Sequence, residues 1–594
     1  MPYRTLSCEV SLRNTCVDNI RSLVVIVMVM SQGFASADSP PLNQSHWRHP
    51  VAMIKVDGKI LTANRRSGTI SVVSLENKKG VDEVAVGSQL SDLIAVGDYL
   101  VCSDEAKHQV ILLNRAFQVL QRVSVASGPV ELAWLEKSGH IAVSCVWSRC
   151  VDWLQLKTPT LVRRGTTPLP FAPRKLLRAT TPSTDALLLV ADSFGGHIAV
   201  FSIDGLDQLP KPTRIHPISG HNIRGLALRS DRTLLITHQF LRSSAATDHE
   251  NVFWGSVIRN ELRSIPLSRL TKNPDDDEPD AREENYPISQ PRDGNGDPSD
   301  IVVSRNGATV VALSGVSKVS IRPKPSKPFE TREVGAKPTA LVFDKDEKNV
   351  FVANTFDDTI SVIDLATLNV TDTISLGKTP KLTEVDHGER LFFDARLSLD
   401  GWYSCHSCHT DGHSNGLLND NFGDGSFGAP KRILSLLGTG TTGPWAWNGK
   451  AEYLPDQIRK SIEFTMQGEE VDDDSIRQLT SYVKSLMPPP VTNKATRETI
   501  ARGRQLFEAN GCIDCHAPPS YTTPNTYNVN LSDQKGNDHF NPPSLRGVAH
   551  RGPFFHDNRA NSLRDVFKKY RHGLDDVKLS PSQLADLIAF LSSL

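Results

Sequence analysis

VFVANTFDDTISVIDLATLNVTDTISLG occupies residues 350–377 and contains three β-type segments separated by polar turns. β-Branched residues alternate along each segment, and Asn, Asp and Gly mark the turns, which is typical of antiparallel strands. Related stretches are ILTANRRSGTISVVSLE at 60–76 and LLLVADSFGGHIAVFSID at 187–204. We count seven copies with a period of about 40 residues. A unit of this size cannot bury its faces alone, so the copies must stack, and we predict a β-propeller of about seven blades.

The best copies resemble the YVTN-type propeller repeat family, most clearly at residues 352–377. We place the propeller at residues 38–377, and a pair of β-sandwiches is the main alternative architecture. One acidic, Pro-rich stretch, residues 272–300, interrupts the period and shows no periodicity of its own. We expect it to be a solvated loop.

Composition and the N-terminus indicate where the protein works. The chain has 594 residues, and its 66 Lys and Arg almost cancel its 67 Asp and Glu. No basic field exists to attract nucleic acid or an anionic membrane, so we expect neither as a partner. The apolar run LVVIVMVM at 23–30 precedes an A-x-A pattern ending at Ala37. We predict a signal peptide over residues 1–37, cleavage after Ala37 and a periplasmic protein without stable membrane insertion.

After about residue 377 the β pattern gives way to helical patterns. The segment MPPPVTNKAT at 487–496 divides this region into halves at 378–490 and 491–594. Each half contains one Cys-x-x-Cys-His pentapeptide, which is typical of covalent c-type haem attachment: two thiols bind the vinyl groups and the histidine ligates iron. We therefore predict a mainly α dihaem cytochrome c domain made of these two halves. A zinc site or a thiol redox pair are the alternatives. The predicted haem-binding residues are Cys405, Cys408, His409, Cys512, Cys515 and His516.

Residues 388–594 resemble the dihaem cytochrome c peroxidase and MauG family. The resemblance rests on GERLFFDARLSLDGWYSCHSCH, GPWAWNGKAEYLPDQI, RGRQLFEANGCIDCHAPP and PPSLRGVAHRGPFFHDN. It implies that the first half carries a peroxidatic haem and the second an electron-transfer haem. It also implies that Trp447 relays electrons between them, although Trp445 stands two residues away.

The same resemblance assigns further roles. Tyr570 stands where MauG-like enzymes have the second axial ligand of the second haem; His572 or water is the alternative. Gln467 falls in the peroxide pocket as a catalytic residue, and Glu469 or Glu470 could act there as the acid–base group instead.

Two departures from the family pattern concern the first haem and a calcium ion. The only histidine between His409 and Lys431 is His413, which is close in sequence to the proximal ligand. We therefore predict an open position on the first iron; closure by His413 is the alternative. The family also holds calcium between its halves, but this chain has Lys431 and Arg432 where an Asn is expected, so calcium is doubtful.

These features predict a periplasmic, peroxidase-like dihaem oxidoreductase. Hydrogen peroxide would react at the first haem, and the second would pass oxidising equivalents to a protein electron donor or a protein substrate, with the propeller as a candidate docking surface. A dihaem electron-transfer cytochrome is one alternative. A propeller-based binding protein with redox-reporting haems is another.

Overall fold

The protein is represented by a computed structural model that describes residues 45–75, 81–180, 186–271, 283–574 and 577–594. The predicted signal peptide lies outside these residues. Within them, 28 strands form seven antiparallel sheets, each built from four consecutive strands. Blades 1 to 4 comprise Pro50–Val56, Lys59–Asn64, Thr69–Ser74, Val81–Ala85; Leu90–Val96, Tyr99–Asp104, Gln109–Asn114, Val119–Ser124; Pro129–Leu135, His140–Cys145, Cys150–Lys157, Thr160–Pro168; and Pro173–Thr180, Ala186–Asp192, His197–Ser202, Arg214–Pro217. Blades 5 to 7 comprise His221–Leu228, Thr233–Leu241, Ile258–Pro266, Glu284–Pro287; Pro298–Val303, Thr309–Leu313, Lys318–Arg322, Glu330–Glu333; and Pro338–Phe343, Asn349–Asn354, Thr359–Asp364, Val370–Ser375. The seven-bladed propeller is confirmed.

Burial within a blade follows from its position in the ring. The second strand of blade 4, Ala186–Asp192, is buried along its whole length because neighbouring blades cover both of its faces. The outermost strand of blade 2, Val119–Ser124, is mostly exposed. Strands of the first kind are apolar at almost every position and lack simple alternation.

The ring closes through side chains, without exchange of a strand between the first and last blades. The Thr355 hydroxyl donates to the Pro50 carbonyl (2.7 Å), and the Asp358 carboxylate accepts from the backbone N–H groups of Arg48 and His49 (2.8 Å each). Apolar residues of both blades form one buried cluster at this seam. The seam therefore combines apolar burial with satisfied backbone donors.

The prediction of a solvated loop over residues 272–300 is wrong for its second part. Glu284–Pro287 is the outer strand of blade 5. All four of its residues are exposed, so the strand lacks the alternation of apolar and polar residues by which strands are recognised in a sequence. Asn295 and Asp297 are buried. The first part of the stretch, residues 272–282, lies outside the described residues.

The region after the last strand is mainly helical, as predicted. Helices α1 and α2, His249–Phe253 and Leu267–Thr271, belong to blade 5, and the helical region contains α3 to α9: Glu384–Phe392, Cys405–Cys408, Leu454–Lys460, Asp473–Ser485, Arg497–Ala509, Leu563–Lys568 and Pro581–Leu591. Short strand pairs join Leu418–Asn419 to Lys431–Arg432 and Tyr527–Asn528 to His539–Phe540. No helix in the described parts of the chain is long and apolar enough to cross a membrane.

Each half has one close helix crossing at a glycine. A Cβ on Gly388 of α3 would lie 2.0 Å from the Gln478 carbonyl oxygen of α6, and a Cβ on Gly503 of α7 would lie 2.0 Å from the Asp586 carbonyl oxygen of α9. Only glycine permits such an approach. The matching crossings indicate that the two halves share one architecture. The propeller also holds three buried free cysteines, Cys102, Cys145 and Cys150.

Candidate dihaem site

The first pentapeptide forms a short helix with its histidine at the C-terminal end. Ser404 caps α4 by accepting from the His406 N–H, and the Ser407 hydroxyl accepts from the Ser404 N–H. The His409 Nδ1 donates to the Leu434 carbonyl (2.8 Å), which leaves Nε2 as the nitrogen able to bind a metal. Burial lowers the pKa of His409 to about 4, so the imidazole is neutral, as a ligand must be.

A cavity of about 300 Å³ opens beside this helix. Cys405, Cys408 and His409 line it together with Arg432 and Arg551. Both guanidinium groups are buried, and the Nε of each has no hydrogen-bond partner within the described chain. Buried unpaired cations call for an anion, and the carboxylates of a haem supply one. The thiols, the oriented imidazole and these cations are the donor set that a covalent haem needs.

The second pentapeptide is arranged in the same way but lies nearer the surface. The His516 Nδ1 donates to the Tyr521 carbonyl (3.1 Å), again leaving Nε2 for a metal. Burial and, to a smaller extent, the neighbouring His572 lower the pKa of His516 to about 4. Cys512 and Cys515 are half-buried, and Asp514 between them is exposed. This half can therefore hold the second haem close to solvent.

The structure places both candidates for the second axial ligand beside Phe555. The rings of Tyr570 and His572 each lie 5.5 Å from the Phe555 ring. The Tyr570 hydroxyl donates to the Arg559 carbonyl (2.6 Å), whereas His572 is the group whose charge affects His516. Ligation by Tyr570 remains a prediction, with His572 as its alternative.

Trp447 lies at the junction of the two halves. Its Nε1 donates to the Arg432 carbonyl (2.8 Å), and its ring lies 6.4 Å from Phe540 and 6.3 Å from His556 of the second half. His556 is buried and stacks on Phe540 at 4.3 Å. Sequence reasoning missed His556, although PFFHDN was among the resembling motifs. Trp445 also lines the cavity, but its Nε1 donates to the Thr439 carbonyl (3.2 Å).

Gln467 and Glu470, the two residues predicted to act in acid–base catalysis, do not line the cavity. The Gln467 Nε2 donates to the carbonyls of Thr247 in the propeller (2.8 Å) and Phe464 (2.6 Å), and Glu470 is exposed. Neither is among the described residues that line the cavity. Gln467 and Glu470 as catalytic residues remain predictions.

Gln457 and Ser461, which the sequence reasoning did not single out, do line the cavity. The Gln457 Nε2 donates to the Ser461 hydroxyl (3.2 Å). Ser461 begins a π-helical turn, Ser461–Thr465, that continues α5, and such turns are frequent at functional sites. Gln457 of α5 and Ser461 of the turn therefore bring polar groups to the cavity, as do Lys460 and Thr465.

His413 is held away from the cavity. Its Nδ1 is 2.9 Å from the Ser435 hydroxyl, and its Nε2 donates to the His550 carbonyl (3.0 Å). Its ring packs against Trp147 and Phe194 of the propeller. Because both ring nitrogens already have protein partners, His413 is a poor candidate for an axial ligand.

Two cationic side chains, Lys431 and Arg432, lie at the junction of the two halves, where the resemblance implies a calcium ion. The Lys431 ammonium lies 3.0 Å from the Asp533 carboxylate, and the Arg432 guanidinium donates to the Arg551 carbonyl. Two positive charges disfavour a divalent cation at this point. Calcium remains a doubtful expectation.

Comparisons with known proteins agree with this geometry. Residues 383–508 match the family model described as di-haem cytochrome c peroxidase, and residues 500–594 match that described as cytochrome c. Methylamine utilization protein MauG of Methylorubrum extorquens is 26% identical over 274 residues, which cover 35% of this chain and 76% of that protein. Cytochrome c551 peroxidase of Nitrosomonas europaea is 22% identical over 267 residues, covering 35% and 78%. Hydrazine synthase subunit gamma of Kuenenia stuttgartiensis is 26% identical over 275 residues, covering 35% and 77%.

Both family models match the helical region, and both halves of that region contain an oriented histidine next to two thiols. The C-terminal region of this chain is therefore similar to the di-haem cytochrome c peroxidase family, and the protein is a peroxidase-class oxidoreductase with two c-type haems joined to a seven-bladed β-propeller.

Proposed function

We propose that the protein is an exported peroxidase that reduces hydrogen peroxide at the first haem and draws the electrons through the second. The observation that carries the proposal is the position of His413, whose ring nitrogens are held by Ser435 and His550. Between His413 and Lys431 the sequence contains no other histidine, so no histidine of this segment would compete with peroxide for a haem held by His409. The haems supply the redox chemistry: hydrogen peroxide, two electrons and two protons give two molecules of water.

The residues of the cavity have distinct parts in this proposal. His409, oriented by its hydrogen bond to the Leu434 carbonyl, would ligate the haem iron. An amide has two N–H donors, and Gln457 uses one on Ser461, so the other can donate to a peroxide oxygen. Arg432 and Arg551, which line the cavity, would neutralise the haem carboxylates. A hydrogen-bond donor held in place in this way favours the charge that develops as the O–O bond breaks.

Trp447 is the proposed electron relay. It lines the cavity of the first half and contacts Phe540 and His556 of the second, so aromatic rings of both halves meet at Trp447. The electrons come from an external protein donor or from a protein substrate that docks near the second haem, where the attachment segment reaches the surface. Export to the periplasm, with cleavage after Ala37, belongs to the same proposal.

Electron paramagnetic resonance of the diferric protein tests the proposal, with optical spectra before and after peroxide is added. We expect one high-spin and one low-spin ferric signal and a rapid spectral response without prior reduction. Two low-spin signals without any response to peroxide would show that both irons are capped. That result would favour a dihaem electron-transfer cytochrome.

A further inference from the structure

The two haem-attachment segments have different surroundings. In the first, Ser404, His406 and Ser407 are 1%, 7% and 0% exposed. In the second, Ile513 is half-buried and Asp514 is exposed. The difference comes from the propeller, whose blades 5 and 6 cover the first segment.

Asp297, which directly precedes the first strand of blade 6, binds the first segment at two points. Its Oδ2 accepts from the Ser404 hydroxyl and its Oδ1 from the Ser407 hydroxyl, each at 2.5 Å. The Ser404 hydroxyl already accepts from the His406 N–H, and the Ser407 hydroxyl accepts from the Gln239 amide (3.1 Å). The Ser407 oxygen accepts from both the Ser404 N–H and the Gln239 amide, so its own proton is the one it shares with Asp297. That pattern is the one an ionised carboxylate makes. Burial raises the pKa of Asp297, and the hydrogen bonds from Ser404 and Ser407 oppose that rise.

Blade 5 completes the contact with the same segment. His221, which is fully buried, donates from Nε2 to the Ser407 carbonyl (3.0 Å). Asn260 donates to the Trp402 carbonyl (2.9 Å). Three propeller side chains, Asp297, His221 and Gln239, therefore hold Ser407, which lies between the two haem-binding cysteines.

We infer that the propeller is the positioning partner of the first haem, with Asp297 as the residue that holds the attachment helix and places a negative charge beside it. Contacts of this kind orient a metal ligand and tune the metal's electronics. A buried carboxylate near an iron stabilises the ferric state relative to the ferrous state, because the interior screens charge weakly. The second haem lacks this contact within the described chain. The propeller face that covers the segment is also occupied, so a docking partner would have to use another surface.

The substitution Asp297→Asn in the haem-loaded protein tests this inference. Asp92→Asn is the matched control: the Asp92 carboxylate accepts from the Leu132 N–H (2.8 Å), which ties blade 2 to blade 3, and from the Leu93 N–H, and within the described chain it bonds to neither haem segment. The measurement is a redox titration in which electron paramagnetic resonance resolves the two haems. We expect Asp297→Asn to raise the midpoint potential of the first haem and broaden its signal, with the second haem unchanged. Asp92→Asn should leave both potentials unchanged. Equal potentials in Asp297→Asn and the parent protein, or equal shifts in both variants, would overturn the inference.

A second measurement needs no variant. Amide hydrogen exchange of the haem-loaded protein should be slow over residues 404–411, which the propeller covers, and fast over residues 512–516. Equal and fast exchange in both segments would contradict the proposed contact even if Asp297→Asn failed to accumulate. The inference concerns haem placement alone, so it can fail while the peroxidase proposal stands, and the reverse also holds.

Discussion

Asp411 connects the first cytochrome half to the propeller, and its removal should cost about 3 kcal/mol of stability. Its Oδ2 lies 2.6 Å from Arg174 of blade 4 and 2.9 Å from Arg224 of blade 5. The proposed change is Asp411→Asn, which keeps the shape of the side chain and removes its charge. The guanidinium groups of Arg174 and Arg224, which are mostly buried, would then lose the negative charge that pairs with them.

The magnitude follows from burial. Breaking a buried ion pair from one side costs roughly 3–5 kcal/mol because the remaining charge is left without a partner. Burial already lowers the pKa of Arg224 to about 10 despite the presence of Asp411. We take the lower end of this energy range because the Asp411 side chain is 32% exposed to solvent.

Unfolding of the haem-loaded protein by guanidinium chloride at pH 7, followed through the haem absorbance, measures the loss. Asp474→Asn is the control, since its carboxylate also lies 2.6 Å from an arginine, Arg477, but both side chains are exposed. Exposed pairs contribute about 0–1 kcal/mol, so the control should change little. The reasoning is refuted if Asp411→Asn loses no more stability than Asp474→Asn.

The pH dependence has a definite sign. Burial alone would raise the pKa of Asp411, but Arg174, Arg224 and His406 outweigh it and hold this pKa well below its usual value. The stabilisation is therefore fully present above the unfolded-state pKa of about 4 and is lost as the pH falls through the lower folded-state pKa. The difference in stability between the parent protein and Asp411→Asn should stay constant from pH 7 to 5 and shrink below about pH 4.

Three further predictions concern the second half, the relay and the propeller. Gly503→Ala should destabilise the second half by about 3 kcal/mol, because the new Cβ overlaps a backbone carbonyl and α7 must move away from α9; thermal unfolding followed at the second haem measures this, and an unchanged transition would contradict the crossing. Trp447→Phe should slow oxidation of the second haem after peroxide is added by about tenfold, or ~1.4 kcal/mol of barrier, whereas Trp445→Phe should not; equal rates in stopped-flow traces would exclude Trp447 as the relay. Iodoacetamide should label none of the three buried propeller cysteines in the native protein and all of them after denaturation; rapid native labelling, read by mass spectrometry, would show that they are accessible.

The features that the sequence predicted correctly are those that depend on local residue patterns. The repeat period, the alternating strands and the helix signals each lie within a few dozen residues, and the fold they indicate is confirmed. The haem-attachment residues were readable for the same reason: Cys405, Cys408 and His409 act within one pentapeptide, so their spacing alone defines the chemistry.

Other features depended on partners far away in the chain. Gln467 aligned with a catalytic position, yet its amide is bonded to the Thr247 carbonyl of the propeller, 220 residues earlier. Asp297 stood in a stretch that was expected to be solvated loop, yet it accepts from two serines more than 100 residues away. No periodicity signals a buried polar contact of this kind.

By itself, the sequence determined a β-propeller, a helical region with two halves and two covalent haem sites, because strand alternation, helix periodicity and thiol spacing are local properties of the chain. Only the tertiary structure decided that the propeller covers the first attachment segment, that His413 is held by Ser435 and His550, and that Gln457 lines the cavity. The physical reason is that hydrogen bonds and burial depend on which distant groups meet after folding, and a buried donor or acceptor must find its partner wherever the packed chain brings one.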